Sequence, residues 1–293
     1  MSARTRVEVL LRRVGFDFYR TLDRFYLSED RRRFRRARNI RLIPSERDRR
    51  GGKRAYAEWA HVIGIFQSLM FLHLEKKEGN VVLDVGCGTG LLGIASEPFI
   101  GQGGKYIGLA VAMGDVEFCR GHYSPESYEF VHFDMKNPAY APGQKSEISS
   151  WPVEAGGVDL VTALSVWTHL DADDSLFYLE EVSRVLRPGG KAIITFFVLD
   201  EAYRESLEKR SDREGRFHAT SQNRWIFDQP AYGSNDWLYP SWAKVPEAAI
   251  GVTEAGLDRL LSSSGLRLIE KYPGNWKEAP GMYFQDTLIF EKD

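Results

Sequence analysis

The chain of 293 residues is poor in cysteine, holding only Cys87 and Cys119. Two cysteines cannot build a disulfide framework, so a reducing, cytoplasmic setting is expected. No apolar run approaches the roughly 20 residues that span a bilayer. The opening Met1-Ser2-Ala3-Arg4 lacks the apolar core of a signal peptide. His61, His73, His122, His132 and His218 show no metal-ligand spacing, and the cysteines supply none, so no metal centre is expected. There is no G-x-S-x-G and no cysteine–histidine arrangement, which argues against hydrolysis.

Net charge is also scarce, at −2, but it conceals an asymmetry. Residues 1–54 hold 18 Lys+Arg against 7 Asp+Glu, and the remainder holds 21 against 34. The division predicts a basic extension over 1–54 and a main domain over 55–293. The extension would lie on its own acidic domain, or meet anionic lipid, phosphorylated glycan or nucleic acid. Nucleic acid ranks lowest, because no zinc-finger, RNP or homeodomain pattern accompanies the charge. Val7, Leu11, Val14, Phe18, Leu22 and Phe25 draw one apolar stripe, which predicts a helix over 6–27. That stripe would bury against the main domain, against a twin subunit in a homodimer, or in a membrane surface to which the protein is peripheral. Arg31 to Arg38 then carries six arginines in eight residues, a solvated or ion-paired face.

Past Arg50-Gly51-Gly52, Trp59, Val62, Ile63, Phe66, Leu69 and Met70 predict a helix over about 55–75. Strands are then expected at Asn80–Val85, Lys105–Ala110, Tyr128–Phe133, Asp159–Ser165 and Lys191–Val198. Helices fall between them at about 90–99, 113–122 and 173–186. The last is capped by Asp171 or Asp173, and Arg187-Pro188-Gly189-Gly190 stops it and turns the chain into the next strand. Thr253 would cap a further helix that Gly265 closes. Leu266–Tyr272 and Phe284–Phe290 would then pair antiparallel. The alternation means an α/β, doubly wound parallel sheet that binds ligands beyond the carboxyl ends of its strands. Residues 199–250 break the rhythm and hold many large rings, Trp225, Trp237 and Tyr239 among them. This loop-rich insert reads as a lid or substrate wall, or as a small satellite core.

The sharpest motif is Val82-Leu83-Asp84-Val85-Gly86-Cys87-Gly88-Thr89-Gly90. Gly88 to Gly93 matches G-x-G-x-x-G, which by itself would admit a nicotinamide cofactor. Asp84 argues otherwise. A carboxylate beside the turn gains nothing against a pyrophosphate, but it favours a ligand carrying sulfonium and ammonium charges, such as S-adenosylmethionine (SAM).

The VLDVGCGTG turn, Asp134 in His132-Phe133-Asp134-Met135, and Val185-Leu186-Arg187-Pro188-Gly189-Gly190 together resemble the class I SAM-dependent methyltransferases. The resemblance covers about 80–198 and 253–291. It implies a Rossmann-like, seven-stranded sheet with an antiparallel C-terminal strand. More narrowly, Leu164–Leu170, Thr195–Leu199 and Tyr283-Phe284-Gln285-Asp286 resemble a bacterial small-molecule or glycan-type subfamily of unassigned substrate. The resemblance places Asp84, Gly86 and Gly88, with Cys87 and Gly90 of the same turn, around the methionine part and ribose. It places Asp134 on the adenine amino group, Met135 on the ring, and Leu164 on the methionine side. Leu109 and Ala110 end the second strand, where the family carries an Asp or Glu for the ribose hydroxyls. Ala110 stands at that position. A lost charge-assisted hydrogen bond would weaken cofactor binding roughly ten- to a hundredfold.

These residues imply transfer of a methyl from SAM to a small-molecule or glycan-type hydroxyl. His169, after the fourth strand, is the expected general base. Trp167 is the expected wall of the acceptor pocket, with Trp225, Trp237 and Tyr239. Ala110 leaves a second reading open, a non-catalytic protein of the same fold that binds a partner.

Overall fold

The computed structural model describes Leu22, Phe25 and residues 38–133 and 148–293. Leu22 and Phe25 are helical. The rest of the expected 6–27 helix, the arginines from Arg31 to Arg36, and Asp134 with Met135 lie outside the described residues.

The first long helix, α1 (Tyr56–His73), buries the predicted stripe from Trp59 to Met70. Its entry is held by Glu58, whose carboxylate accepts from the Ala55 N–H at 3.0 Å. Strand and helix then alternate through β1 (Val81–Val85), α2 (Leu91–Ile100), β2 (Lys105–Ala110), α3 (Met113–His122) and β3 (Tyr128–His132). After β4 (Val158–Ala163) come α4 (Ala172–Val185) and β5 (Leu186–Phe196). Asp171 caps α4, accepting from the Asp174 N–H at 2.9 Å. Arg187–Gly190 follow the end of α4 as expected and form an irregularity near the start of β5: Leu186 pairs with Val158 of β4, the register then shifts, and pairing resumes at Lys191 with Leu160, Gly189 lying at φ +72°.

The insert is more regular than its composition suggests. β5 stops at Phe196, and β6 (Val198–Leu199) leaves the main sheet for a second one. After α5 (Glu201–Leu207), that sheet is completed by β7 (Phe227–Pro230), β8 (Trp237–Pro240) and β9 (Gly251–Thr253), in the order β6-β9-β8-β7. Thr253 caps α6 (Glu254–Ser264), and Gly265 closes it in the left-handed region at φ +69°. β10 (Leu266–Tyr272) and β11 (Asp286–Lys292) pair antiparallel.

Among the described residues the main sheet has seven strands, ordered β10-β11-β5-β4-β1-β2-β3. β11 runs antiparallel to β5, and β4, β1, β2 and β3 are parallel to one another. The chain moves outward from β1 to β3, then returns to the other side of β1 as β4. That reversal opens a crevice at the carboxyl ends of β1, β2 and β4, the expected place for a ligand.

Residues 38–54, the described end of the expected 1–54 extension, pack against the main domain. Ile43 is fully buried among side chains of α1 and α2. Asn39 Nδ2 donates to the Ile94 carbonyl at 3.1 Å, and His122 Nε2 bonds the Leu42 carbonyl at 2.7 Å.

A buried ion cluster ties the two sheets together. Lys277 Nζ lies 2.7 Å from Asp286 Oδ1 and 2.8 Å from Asp200 Oδ2, with no exposure of its side chain. Asp286 also accepts from the N–H groups of Val198 and Gly274 and from Trp276 Nε1. Burial alone would raise the Asp200 carboxyl, but Lys277 and Lys271 hold it below the usual range. This contribution to stability is present above the unfolded pKa and is lost as pH falls through the lower folded value. Lys277→Met leaves buried Asp286 without its cation and Asp200 with Lys271 alone, and should cost ~3–5 kcal/mol in a denaturant titration at pH 7. A loss under ~1 kcal/mol would place the anchoring elsewhere.

Candidate active site

The turn after β1 is built from glycines that its backbone needs. Gly86 has φ +73°, and a Cβ there would sit 2.6 Å from Val166 Cγ2, so any side chain would push away the loop after β4. Gly90 has φ +87°, and a Cβ would lie 2.5 Å from the Tyr123 hydroxyl. That hydroxyl donates to the carbonyls of Thr89 and Gly90 at 2.9 and 3.1 Å. Gly90 therefore serves the packing of the turn on Tyr123.

A cavity of about 360 Å³ opens above Gly86 and Gly88, a size in the range of small-molecule sites. Val85, Leu109, Phe133, Leu164 and Leu170 give it apolar walls, and Ala110, Ser165 and His169 also face it. A recess of about 80 Å³ extends below, lined by Asp84, Cys87 and Trp59 among others. Cavity and recess share Arg50, Gly86, Gly88, Leu164 and Ser165.

Asp84 sits inside the sheet, in register with Gly108 of β2 and Thr162 of β4. Its Oδ2 accepts from the Tyr106 hydroxyl at 2.5 Å and its Oδ1 from the Thr162 hydroxyl at 2.9 Å. Burial pushes its pKa up to about 7 despite both bonds.

His169 closes the short helical turn Trp167–His169. Its Nδ1 lies 2.7 Å from the Glu247 carbonyl, which can only accept. Nδ1 therefore carries a proton, and in the neutral ring Nε2 is the basic nitrogen. Burial lowers the pKa of this imidazole, which keeps it neutral at pH 7. Beside it, Ser165 adopts φ +61°. Its N–H donates to Thr195 Oγ1 at 2.7 Å, and Gln285 Nε2 donates to its hydroxyl at 2.9 Å. A non-glycine residue held in the left-handed region next to a cavity is strain maintained by its partners.

Comparison with known proteins follows the same lines. The family model described as "Methyltransferase domain" matches residues 83–194. That span runs from β1 to β5 and contains the glycine turn, Ala110 and His169. Residues 83–194 match a methyltransferase domain, and the fold is the Rossmann-like one of the class I SAM-dependent methyltransferases.

The chain is 26% identical over 192 residues to the tRNA (carboxymethyluridine(34)-5-O)-methyltransferase of Macaca fascicularis. This match covers 62% of the chain but only 24% of that relative's length. It is 30% identical over 120 residues to a demethylmenaquinone methyltransferase of Oceanobacillus iheyensis, covering 41% of the chain and 45% of that protein. Among solved structures, a Pyrococcus horikoshii protein aligns over 90% of this chain and 99% of its own, with a TM-score of 0.51 and 16% identity. Geranyl diphosphate C-methyltransferase of Streptomyces coelicolor aligns over 80% of this chain and 81% of its own, with a TM-score of 0.50 and 14% identity. At such identities these structures establish the fold.

The methyltransferase domain uses SAM, and the cavity suits it. Gly86 leaves the space that a side chain would take, apolar walls flank it, and a buried carboxylate lies beneath. Gly86, Gly88, Leu109, Ala110, Leu164 and His169 meet around the cavity, and Asp84 and Cys87 around the recess. Gly90 lines neither. The aromatic wall expected from sequence is corrected. Trp167 is buried against Phe196 and donates from Nε1 to the Ser175 carbonyl at 3.2 Å. Trp225 packs on Phe197 and Phe284, while Trp237 and Tyr239 belong to the packing around β8. None of the four lines the cavity: Trp167, Trp237 and Tyr239 pack in the main core, and Trp225 packs in the satellite core. Arg50, Asp115, Ser165 and Phe133 do line it and were missed. Arg50 was legible only as one arginine in a basic stretch, and the strain at Ser165 has no sequence signature.

With its folded pKa raised, Asp84 binds a proton more tightly in the native than in the unfolded state. The cofactor-free protein should therefore lose stability relative to Asp84→Asn as pH rises from about 4 to about 7. The slope is bounded at ~1.4 kcal/mol per pH unit for one proton. Denaturant midpoints of the two proteins that stay parallel from pH 4 to pH 8 would contradict this.

Proposed function

We propose that the protein transfers a methyl group from SAM to the hydroxyl of a small-molecule or glycan-type acceptor. The observation that carries this reading is one cavity lined by the bare Gly86–Gly88 turn and by a neutral histidine whose tautomer is set by the Glu247 carbonyl. SAM supplies an electrophilic methyl on a sulfonium centre. Gly86 and Gly88 let the backbone lie against the methionine part, and Leu109, Phe133 and Leu164 exclude water around it. Asp84 supplies a negative charge beneath, and cationic groups in the cavity favour its ionised form. His169 Nε2 takes the proton from the acceptor hydroxyl as oxygen becomes the nucleophile. The tRNA-modifying relatives are named for methylation on oxygen, which supports an oxygen rather than a nitrogen acceptor.

Calorimetry and labelled methyl transfer test this together. Asp84→Ala should abolish SAM binding. His169→Gln should retain SAM affinity within about threefold while lowering kcat by roughly 10²–10⁴. Acceptors are saccharides and hydroxylated small molecules, with unmodified tRNA transcripts assayed in parallel. Label on tRNA alone would replace the proposed acceptor class. Absence of SAM binding at millimolar ligand would favour a non-catalytic binding role instead.

A further inference from the structure

Position 110 lacks the carboxylate that a ribose would need, yet a carboxylate faces the same cavity. We infer that Asp115 receives the ribose hydroxyls of the cofactor in place of an acidic residue at position 110. The inference rests on the SAM site described above and extends it to a residue that neither the glycine turn nor the strand end identifies.

Ala110 ends β2, and the chain passes through Val111 and Ala112 into α3. The first turn of that helix closes with the Asp115 N–H donating to the Ala112 carbonyl at 3.0 Å. Ala110, Val111, Ala112 and Asp115 all line the main cavity, so the carboxylate stands on the same wall one helical turn later. Among the described residues lining that cavity, Asp115 is the one carboxylate. Asp84 is a poor substitute, since it lines only the recess and each of its oxygens already accepts a hydroxyl from within the sheet.

Asp115 is held in place from across the cavity mouth. Arg50 Nε donates to its Oδ1 at 2.8 Å, and the Asp115 side chain is 13% exposed. Arg50 in turn donates from Nη1 to the Arg47 carbonyl at 3.0 Å, while its stem lies over Gly88. A carboxylate offers about four acceptor sites, so one bond from Arg50 leaves capacity for neutral hydroxyl donors without breaking the pair. A half-exposed ion pair contributes little to stability by itself. Its position at the rim of the cavity is better explained by orientation of Asp115.

The test is calorimetry on the full chain with S-adenosylhomocysteine and with its 2′,3′-dideoxy analogue, after thermal melts confirm folding. Asp115→Ala should weaken S-adenosylhomocysteine roughly ten- to a hundredfold. The same variant should change affinity for the dideoxy analogue by less than about threefold, because the hydroxyls are already gone. Ala110→Asp added to Asp115→Ala should recover most of the lost affinity. Equal losses for both ligands would overturn the inference and reduce Asp115 to a partner of Arg50. Undiminished binding by Asp115→Ala would overturn it while leaving the SAM site intact. Failure of the wild-type protein to bind S-adenosylhomocysteine would remove the site and the inference together.

Discussion

A carboxylate buried within a parallel sheet governs the centre of this molecule. Asp84 interrupts an otherwise apolar strand, and its neighbours on both sides answer it, Tyr106 from β2 and Thr162 from β4. A buried charge without such donors would be strongly unfavourable. Here the donors reduce the penalty without removing it, and the pKa stays near neutrality. The group is thereby poised to ionise when positive charge arrives beside it. Opposite Asp84, Gly108 has no side chain, and a Cβ there would lie 2.8 Å from Cys87 Sγ and 2.9 Å from Phe130. The packing around the carboxylate thus reaches into the second and third strands as well as the glycine turn.

The second sheet acts on the site through backbone groups. Its anchor is Lys277 with Asp286 and Asp200, which fixes where β6 departs from the main sheet. From that base, the segment before β9 returns to the turn that carries His169. The Ile250 N–H donates to the Thr168 carbonyl at 2.7 Å, and the Glu247 carbonyl bonds His169 Nδ1 at the same distance. The Glu247 carbonyl thereby sets the tautomer of an imidazole on another element. Tyr203, Trp225 and Phe227 of the insert pack with Phe197, Trp276 and Phe284 from outside it in a satellite core.

Residues 38–54 complete the other side. They bury Ile43 against α1 and α2 and deliver Arg50 over Gly88 to Asp115. Arg50 and Gly51 of this basic segment line the cavity. The segment's basic charge meets a carboxylate of the domain there in the Arg50–Asp115 pair.

Much of this was legible in the sequence, for local reasons. Alternating apolar strands and helices, the caps at Asp171 and Thr253, and the left-handed Gly265 are properties of a few consecutive residues, and they determined the doubly wound sheet. The D-x-G-x-G turn likewise determined where the cofactor cavity begins, because close backbone approach requires glycine. Tertiary structure alone decided what faces that cavity. Trp167, Trp225, Trp237 and Tyr239 are equally compatible with a pocket wall and with packing until distant elements supply the packing, the main core for three of them and the satellite core for Trp225. Arg50 and Asp115 are 65 residues apart in the chain and meet only because residues 38–54 fold back over the glycine turn. Ser165 is held at positive φ by Thr195 of β5 and by Gln285 just before β11. Sequence periodicity records which side of an element is buried, but which partner buries it depends on contacts between elements far apart along the chain.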